Sequence, residues 1–299
     1  MAGRALMIGF DIGGTNVAAA LMDGEHSILL RRVRPFRRLG AEALCEELLS
    51  MARELCEAAG AELASIERLG ACIPGSVDAR RGFVIDAHNL SLHDVPFGEL
   101  LSRAFLRRVT VLNDADAAAL AESRLGALAG VQNSLLVTLG TGVGVGIILG
   151  GRLFHGGRGR GVEAGHMTLD MHGESCTCSR RGCAETLCSA RFLSDRARAL
   201  LGPDADAKTL IELAKRGDRG CVEAWQEYTD ALSNALASFV NVLDPERIAL
   251  GGGISGAGEF LLEPVRKGVE AGSFFREPTE IVLAKLGNDA GLVGACMYE

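Results

Sequence analysis

The sequence feature that most constrains the fold is a repeated pattern: an apolar strand, a turn rich in glycine and threonine, and a second apolar strand. It occurs at residues 11–22 and again at residues 137–149. Short apolar runs elsewhere alternate with stretches whose apolar residues have helical spacing, which indicates an α/β chain. We predict strands at 5–10, 17–22, 69–73, 109–112, 134–138, 143–149, 248–250 and 281–284, and helices at 41–60, 115–128, 190–201, 209–216, 222–243 and 290–298.

Two copies of one unit predict two similar lobes with a cleft between them. We expect a smaller lobe at residues 1–115 and a larger one at residues 116–289, with a C-terminal helix at about 290–299 that returns to the first lobe.

Composition and charge limit the functions that the chain can have. The 299 residues are 48% hydrophobic and 23% charged, and the formal net charge is −7, so we expect a globular protein with no nucleic-acid partner. The uncharged stretch 125–151 has glycines at alternating positions from 140 to 146, a strand-like period, and we predict no membrane span. The short apolar run before Asp11 has no signal-peptide cleavage pattern, which predicts a cytoplasmic protein.

The cysteines indicate a metal site. Their number, nine, is odd, and four lie between residues 176 and 188, so a disulfide framework is disfavoured. His166, Cys176, Cys178 and Cys183 supply one nitrogen and three sulfur ligands, a full set for structural Zn²⁺ in a loop over residues 166–183. The alternative is a group of free thiols beside an unrelated histidine. The other cysteines are predicted to be small buried side chains: Cys45, Cys56, Cys72, Cys188, Cys221 and Cys296.

Three glycine turns follow predicted strands. Glycine lets backbone N–H groups approach phosphate oxygens closely, and a threonine hydroxyl or an aspartate at a strand end can assist, the latter by holding hydrated Mg²⁺. Each turn alone also fits an ordinary hairpin. The residues predicted to bind phosphate groups and Mg²⁺ are Asp11, Gly13, Gly14, Thr15, Gly140, Thr141, Gly142, Gly251, Gly252 and Gly253.

Polar side chains beside these turns offer acid–base chemistry. Asn113 and Asp114 stand at a strand-to-helix junction, where such residues commonly cap the helix. Phosphoryl transfer to an alcohol also needs a carboxylate that accepts the hydroxyl proton, and Asp114 suits that role. Glu163 and Glu185 flank the cysteine cluster and are either solvated or acceptors for sugar hydroxyls.

In chain order these motifs resemble the ROK family (repressors, open reading frames and sugar kinases). The matching elements are Asp11–Thr15, Asn113–Asp114, Leu139–Gly142, Glu163–His166, Cys176–Glu185 and Leu250–Gly253. The resemblance implies an α/β, actin/hexokinase-like fold of two ribonuclease-H-like lobes with a central cleft that binds ATP and a sugar. It also implies a homodimer or a dimer of dimers.

The resemblance further implies roles for particular residues. Asp114 is expected to be the catalytic base, and His166 is expected to contact the sugar in addition to ligating zinc. The full set of expected sugar contacts is Gly75, Asn89, Asn113, Asp114, Glu163, His166 and Glu185.

Three positions depart from the family pattern. Asp116 stands where many members have Asn, Ser179 where the cysteine loop has Gly, and Val162 where Gly precedes the glutamate. None of these changes removes a predicted catalytic group.

The resemblance implies ATP-dependent phosphorylation of a hexose, of glucose or allose type, at its 6-hydroxyl. An N-acetylhexosamine kinase (for N-acetylglucosamine or N-acetylmannosamine) and a non-catalytic sugar-binding regulator are the alternatives. Repressors of the family carry a helix-turn-helix before the first glycine turn, and with ten residues ahead of Asp11 we do not expect one here.

Overall fold

The computed structural model describes residues 5–36 and 40–298. These residues form thirteen strands: β1 (Leu6–Ile12), β2 (Asn16–Asp23), β3 (Ile28–Pro35), β4 (Ile66–Ile73), β5 (Ser76–Asp78), β6 (Phe83–Ala87), β7 (Leu92–Val95), β8 (Thr110–Asn113), β9 (Ser134–Leu139), β10 (Val143–Leu149), β11 (Arg152–Leu153), β12 (Arg247–Gly251) and β13 (Glu280–Leu283).

The same residues form nine α-helices: α1 (Ala41–Ala59), α2 (Phe97–Phe105), α3 (Asp114–Leu125), α4 (Ala184–Cys188), α5 (Ala190–Leu201), α6 (Ala207–Lys215), α7 (Arg219–Leu243), α8 (Glu259–Gly272) and α9 (Ala290–Ala295). Single 3₁₀ turns that matter below lie at His88–Leu90 and Ala164–His166. Among the helices of the described chain, none combines the length and the apolar composition that crossing a membrane requires.

The described residues divide into two compact units. The first unit contains the residues up to Arg124, Leu153–Val162 and those from Asn288 onward, and the second contains Leu125–Arg152 and Glu163–Gly287. The lobe limits predicted from the sequence remain a prediction.

The first unit is built on a sheet in the order β3-β2-β1-β4-β8. Strands β1, β2 and β3 pair antiparallel, whereas β4 and β8 run parallel to β1. Every residue of β1 except Asp11 is buried, which explains its unbroken apolar run. Helix α1 buries one apolar face and ends at Gly60, whose φ of 63° allows its N–H to reach the carbonyls of Cys56 and Glu57.

The second unit repeats this arrangement in the order β11-β10-β9-β12-β13. Strands β9 and β10 form an antiparallel hairpin, and β12 and β13 then add in parallel. The internal repeat read from the sequence is therefore confirmed at the level of each sheet, because both sheets place a hairpin beside parallel strands.

Each predicted strand and helix is present, with ends shifted by a few residues. Several elements lay outside the predictions: α2, α4, α8, β3, β11 and the small sheet β5-β6-β7. Strand β3 alternates partly buried with exposed residues and interleaves arginines with apolar residues, so its sequence shows no buried apolar face. Helix α8 buries apolar residues at helical spacing, but it contains Pro264, which disfavours a helix in the sequence.

Candidate active site

The first unit gathers polar residues at the carboxyl ends of three adjacent parallel strands. Asp11 of β1 lies beside Cys72 of β4, and Ile73 of β4 lies beside Asn113 of β8. Parallel strands end at one edge of a sheet, so Asp11, Gly75 and Asn113 occupy a single edge. Open α/β sheets bind their ligands at this edge.

Asn113 caps helix α3. Its Oδ1 accepts hydrogen bonds from the backbone N–H groups of Ala115 (2.8 Å) and Asp116 (3.2 Å), and its Nδ2 donates to the carbonyl of Gly75 at 2.9 Å. The capping role considered for Asn113 is therefore confirmed. Asp114, the first residue of the helix, has an exposed side chain and stands at the helix N-terminus, where a negative charge is favoured.

Asp11 is partly buried, and its carboxylate has an unexpected neighbour. The thiol of Cys72 donates to Oδ1 of Asp11 at 3.5 Å. Burial raises the pKa of Asp11, and the bond from Cys72 opposes that shift. The sequence predicted correctly that Cys72 is buried, but it gave no signal of this contact because the two residues meet through strand register.

The first glycine turn is compact and exposed. Gly13 donates its N–H to the carbonyl of Asn16 at 2.9 Å, and the Thr15 side chain lies at the surface. A Cβ added to Gly14 would lie 3.9 Å from the Cβ of Asn89, so the turn and this predicted sugar ligand are neighbours.

Gly75 has a φ of 101°, and an added Cβ would lie 2.2 Å from the carbonyl oxygen of Asp86. Only glycine fits at this position, and its own carbonyl is the one that accepts the hydrogen bond from Asn113.

In the second unit two glycine turns meet at the carboxyl ends of β9 and β12, where Gly251 is paired with Thr138. Gly252 has a φ of 82°, and an added Cβ would lie 2.5 Å from the carbonyl oxygen of Leu139. Gly140 donates its N–H to the carbonyl of Gly142 at 3.0 Å, and Thr141 is exposed at the tip of the turn. The two turns predicted to bind phosphate, residues 140–142 and 251–253, are therefore neighbours in the second unit.

The start of β10 is held from two sides. Glu185 of α4 accepts the N–H of Val143 through Oε2 at 3.1 Å. Gly165, in the 3₁₀ turn Ala164–His166, lies so close that an added Cβ would be 2.3 Å from the Val143 carbonyl oxygen. The glycine turn at 140–142 is thus supported by Glu185 and by the turn that follows the exposed Glu163. The sequence did not predict this support.

The four predicted metal ligands lie together. His166, Cys176, Cys178 and Cys183 each present a ligand atom, and these atoms all lie within 4.8 Å of one another. Nδ1 of His166 is 3.6 Å from Sγ of Cys176, and Sγ of Cys178 is 3.5 Å from Sγ of Cys183. Tetrahedral zinc with Zn–S bonds of about 2.3 Å places sulfur ligands about 3.8 Å apart. The arrangement therefore fits a tetrahedral ion.

The thiols of this cluster also perturb one another. The pKa of Cys183 is raised by burial and by its thiol neighbours, whereas hydrogen bonds from Arg180 and the other thiols outweigh burial and lower the pKa of Cys178. A thiol with a lowered pKa ionises readily, as a metal ligand must.

The backbone of the cysteine loop explains its glycines. Gly182 has a φ of 65°, and an added Cβ would overlap the Asp170 carbonyl oxygen at 1.4 Å, while at Gly173 it would lie 2.9 Å from the Cα of Gly182. Ser179, which departs from the family pattern, has a φ of 68°. This left-handed conformation favours glycine, so the departure has an energetic cost.

The chain is similar to known proteins over almost its whole length. The ROK family model matches residues 7–298. The glucokinase of Thermotoga maritima is 34% identical over 97% of this chain and 95% of its own length. A putative xylose repressor from Caldicellulosiruptor is 28% identical over 97% of this chain and 76% of its own length.

Solved structures agree. A ROK hexokinase from Thermus thermophilus is 36% identical with a TM-score of 0.84 and covers 98% of this chain and 97% of its own. A ROK family glucokinase from Streptomyces griseus, in complex with glucose and AMPPNP, is 32% identical with a TM-score of 0.83, and 98% of each chain is covered. The chain belongs to the ROK family, and the predicted actin/hexokinase-like α/β fold class is confirmed.

Proposed function

We propose that this protein transfers the terminal phosphoryl group of ATP to the 6-hydroxyl of a hexose, with Asp114 as the general base. The chain is an ATP-dependent sugar kinase, the class to which its glucokinase relatives and the AMPPNP-bound neighbour belong. Among hexoses, the names of those relatives favour glucose over allose and over N-acetylhexosamines.

The observation that carries the proposal is the polar edge of the first sheet. Asp11 and Asn113 stand there on parallel strands, and the Asn113 cap holds the exposed Asp114 at the start of α3. A base must have a fixed position and be able to reach the substrate hydroxyl; the cap at the start of α3 and the exposure of Asp114 support this role. Gly75 and Asn89, on the same unit, are proposed sugar contacts.

The glycine turns are proposed to hold the phosphates of ATP through their backbone N–H groups. Asp11 is the proposed residue for Mg²⁺, which prefers carboxylate oxygens and keeps most of its waters. When bound, the ion would neutralise phosphate charge. A nearby cation would favour the ionised form of Asp11, opposing the effect of burial on its pKa.

We propose that the cysteine cluster holds one structural Zn²⁺. Its one nitrogen and three sulfur donors fit zinc, and no carboxylate is among them. Because Nδ1 of His166 faces Cys176, the opposite ring nitrogen, Nε2, can donate to a sugar hydroxyl. Glu163 and Glu185 are the proposed acceptors for further hydroxyls.

A panel of aldohexoses and N-acetylhexosamines with ATP, followed by ADP release, tests the reaction. On the preferred sugar, Asp114→Asn should lower kcat by roughly 10²–10⁴-fold with sugar binding largely kept. Asp230→Asn, which changes an exposed helix carboxylate in the second unit, is the matched control. An Asp114→Asn enzyme with more than a third of wild-type kcat would remove Asp114 from the mechanism.

A second candidate is a sugar-binding regulator without catalysis. It is favoured by the xylose repressors among the relatives. Sugar binding by calorimetry together with no sugar-dependent ADP release would support it, whereas turnover would exclude it.

A further inference from the structure

The first unit contains a buried acid–imidazole pair. Asp116, in the first turn of α3, and His155, in the segment Leu153–Val162, have side chains that are 2% and 7% exposed. Nδ1 of His155 lies 3.4 Å from Oδ2 of Asp116, which is within ion-pair distance but without the alignment of a good hydrogen bond. Neither residue figures among the predicted site residues.

The other polar atoms of the pair lack partners. Within the described chain, Oδ1 of Asp116 and both ring nitrogens of His155 make no hydrogen bond. The rings of His155 and Tyr298 pack nearly perpendicular to each other at a centroid distance of 5.2 Å, so an aromatic side chain closes one side of the pair. Burial raises the pKa of the Tyr298 hydroxyl; among the nearby charges, Arg80 and Arg108 lower this pKa, whereas Asp116 and Asp78 raise it.

Such burial restricts the charge that the pair can carry. An ionised carboxylate removed from water without full hydrogen bonding is costly. An ionised Asp116 leaves a negative charge in the interior, whereas a protonated Asp116 carboxyl does not. Burial accordingly raises the pKa of Asp116, and the His155 contact only partly offsets this.

The pair joins two segments that matter for the proposed chemistry. Asp116 also donates its backbone N–H to the Asn113 cap, so its position and that of Asp114 are linked. On the other side, Gly161 donates its N–H to the carbonyl of His155 at 3.1 Å, which closes a loop directly before Glu163 in the chain.

We propose that Asp116 and His155 are positioning residues: a buried acid–imidazole pair that holds the first turn of α3, and with it Asp114, against the segment Leu153–Val162. This inference rests on the proposed function for the role of Asp114. The pair acts through Asp114 and does not touch the reacting atoms.

The first experiment is a double-mutant cycle with His155→Leu, Asp116→Asn and the double variant. His155→Leu leaves an unpaired buried carboxylate, so we expect a lower Tm and a kcat about 10- to 100-fold below wild type, as for a displaced catalytic group. In the double variant the buried carboxylate is gone, so Tm should recover most of the loss, whereas kcat should stay low because the contact that positions Asp114 is still absent. A double variant whose Tm is no higher than that of His155→Leu, or whose kcat equals that of wild type, would overturn the proposal.

The second experiment follows Tm against pH for wild type and Asp116→Asn. Because the pKa of Asp116 is raised in the folded protein, the folded state binds more protons than the unfolded state above the ordinary value of 3.8. Wild type should therefore lose stability relative to Asp116→Asn as the pH rises through the raised value. A Tm difference that stays constant from about pH 4 to about pH 8 would show that no proton is held there.

His93 and Asp86 provide a matched control in the same unit. Their Nδ1–Oδ1 distance is 2.9 Å, but both side chains are 57% exposed. The corresponding cycle of His93→Leu and Asp86→Asn should show almost no coupling in Tm, because solvent screens exposed pairs. Coupling as large as that at the buried pair would show that burial is not the cause. The Tm cycles do not depend on Asp114, so a failure of the proposed base and a failure of this inference are distinguishable.

Discussion

Removal of the Glu185 carboxylate should weaken the binding of ATP as well as of sugar. Oε2 of Glu185 accepts the N–H of Val143 at 3.1 Å, directly after the glycine turn 140–142 that we propose holds phosphate. From the sequence alone, Glu185 is either solvated or an acceptor for a sugar hydroxyl, and a sugar contact predicts a KM for ATP that stays nearly unchanged on its loss. The contact with Val143 changes that expectation.

The magnitude follows from the type of bond. A hydrogen bond to a charged group contributes roughly 1.5–3 kcal/mol, and each 1.4 kcal/mol corresponds to about a tenfold change in an equilibrium constant. Glu185→Ala should therefore raise the KM for ATP by up to about ten- to a hundredfold and should also raise the KM for the sugar. In Glu185→Gln the amide oxygen can still accept from Val143, so the ATP effect should be smaller.

Glu163→Gln is the matched control. Glu163 is exposed and precedes the turn Ala164–His166, so its loss should raise the KM for the sugar about tenfold and leave the KM for ATP unchanged. Initial rates with each substrate varied in turn, together with the Tm of each variant, separate the two glutamates. We propose that Glu185 supports the glycine turn 140–142. A KM for ATP in Glu185→Ala that stays within twofold of wild type, with Tm retained, would refute this proposal.

Three further variants, Cys178→Ser, Ser179→Gly and Gly182→Ala, test the cysteine loop. Freshly purified protein should contain one zinc per chain by metal analysis. Cys178→Ser should lose this zinc and bind the sugar more weakly, because the loop that carries Glu185 loosens. Full zinc content in Cys178→Ser would contradict the ligand set. Ser179→Gly should raise the Tm and slow zinc loss to a chelator, since a non-glycine residue at a φ of 68° costs roughly 1 kcal/mol. Gly182→Ala should do the opposite, because its Cβ has no room beside Asp170.

Local patterns in the sequence specified much of the site. The Asn113 cap and the left-handed glycines at 75, 182 and 252 arise within one turn or one loop, where residue type alone restricts the backbone. The ligands His166 and Cys176–Cys183 lie close in the chain, so their spacing is informative by itself. The repeated hairpin pattern likewise predicted two similar units, and each unit has a sheet that places a hairpin beside parallel strands.

Other features depend on contacts between residues far apart in the chain. Cys72 reaches Asp11 only because β1 and β4 pair in one particular register, and Glu185 reaches Val143 only because α4 packs at the start of β10. The burial of Asp116 beside His155 is of the same kind. A sequence pattern states which residues are apolar, polar or flexible over a few positions. Strand register and packing decide which distant side chains meet in the low-dielectric interior. In that interior, the contacts that a group makes determine whether it can carry a charge.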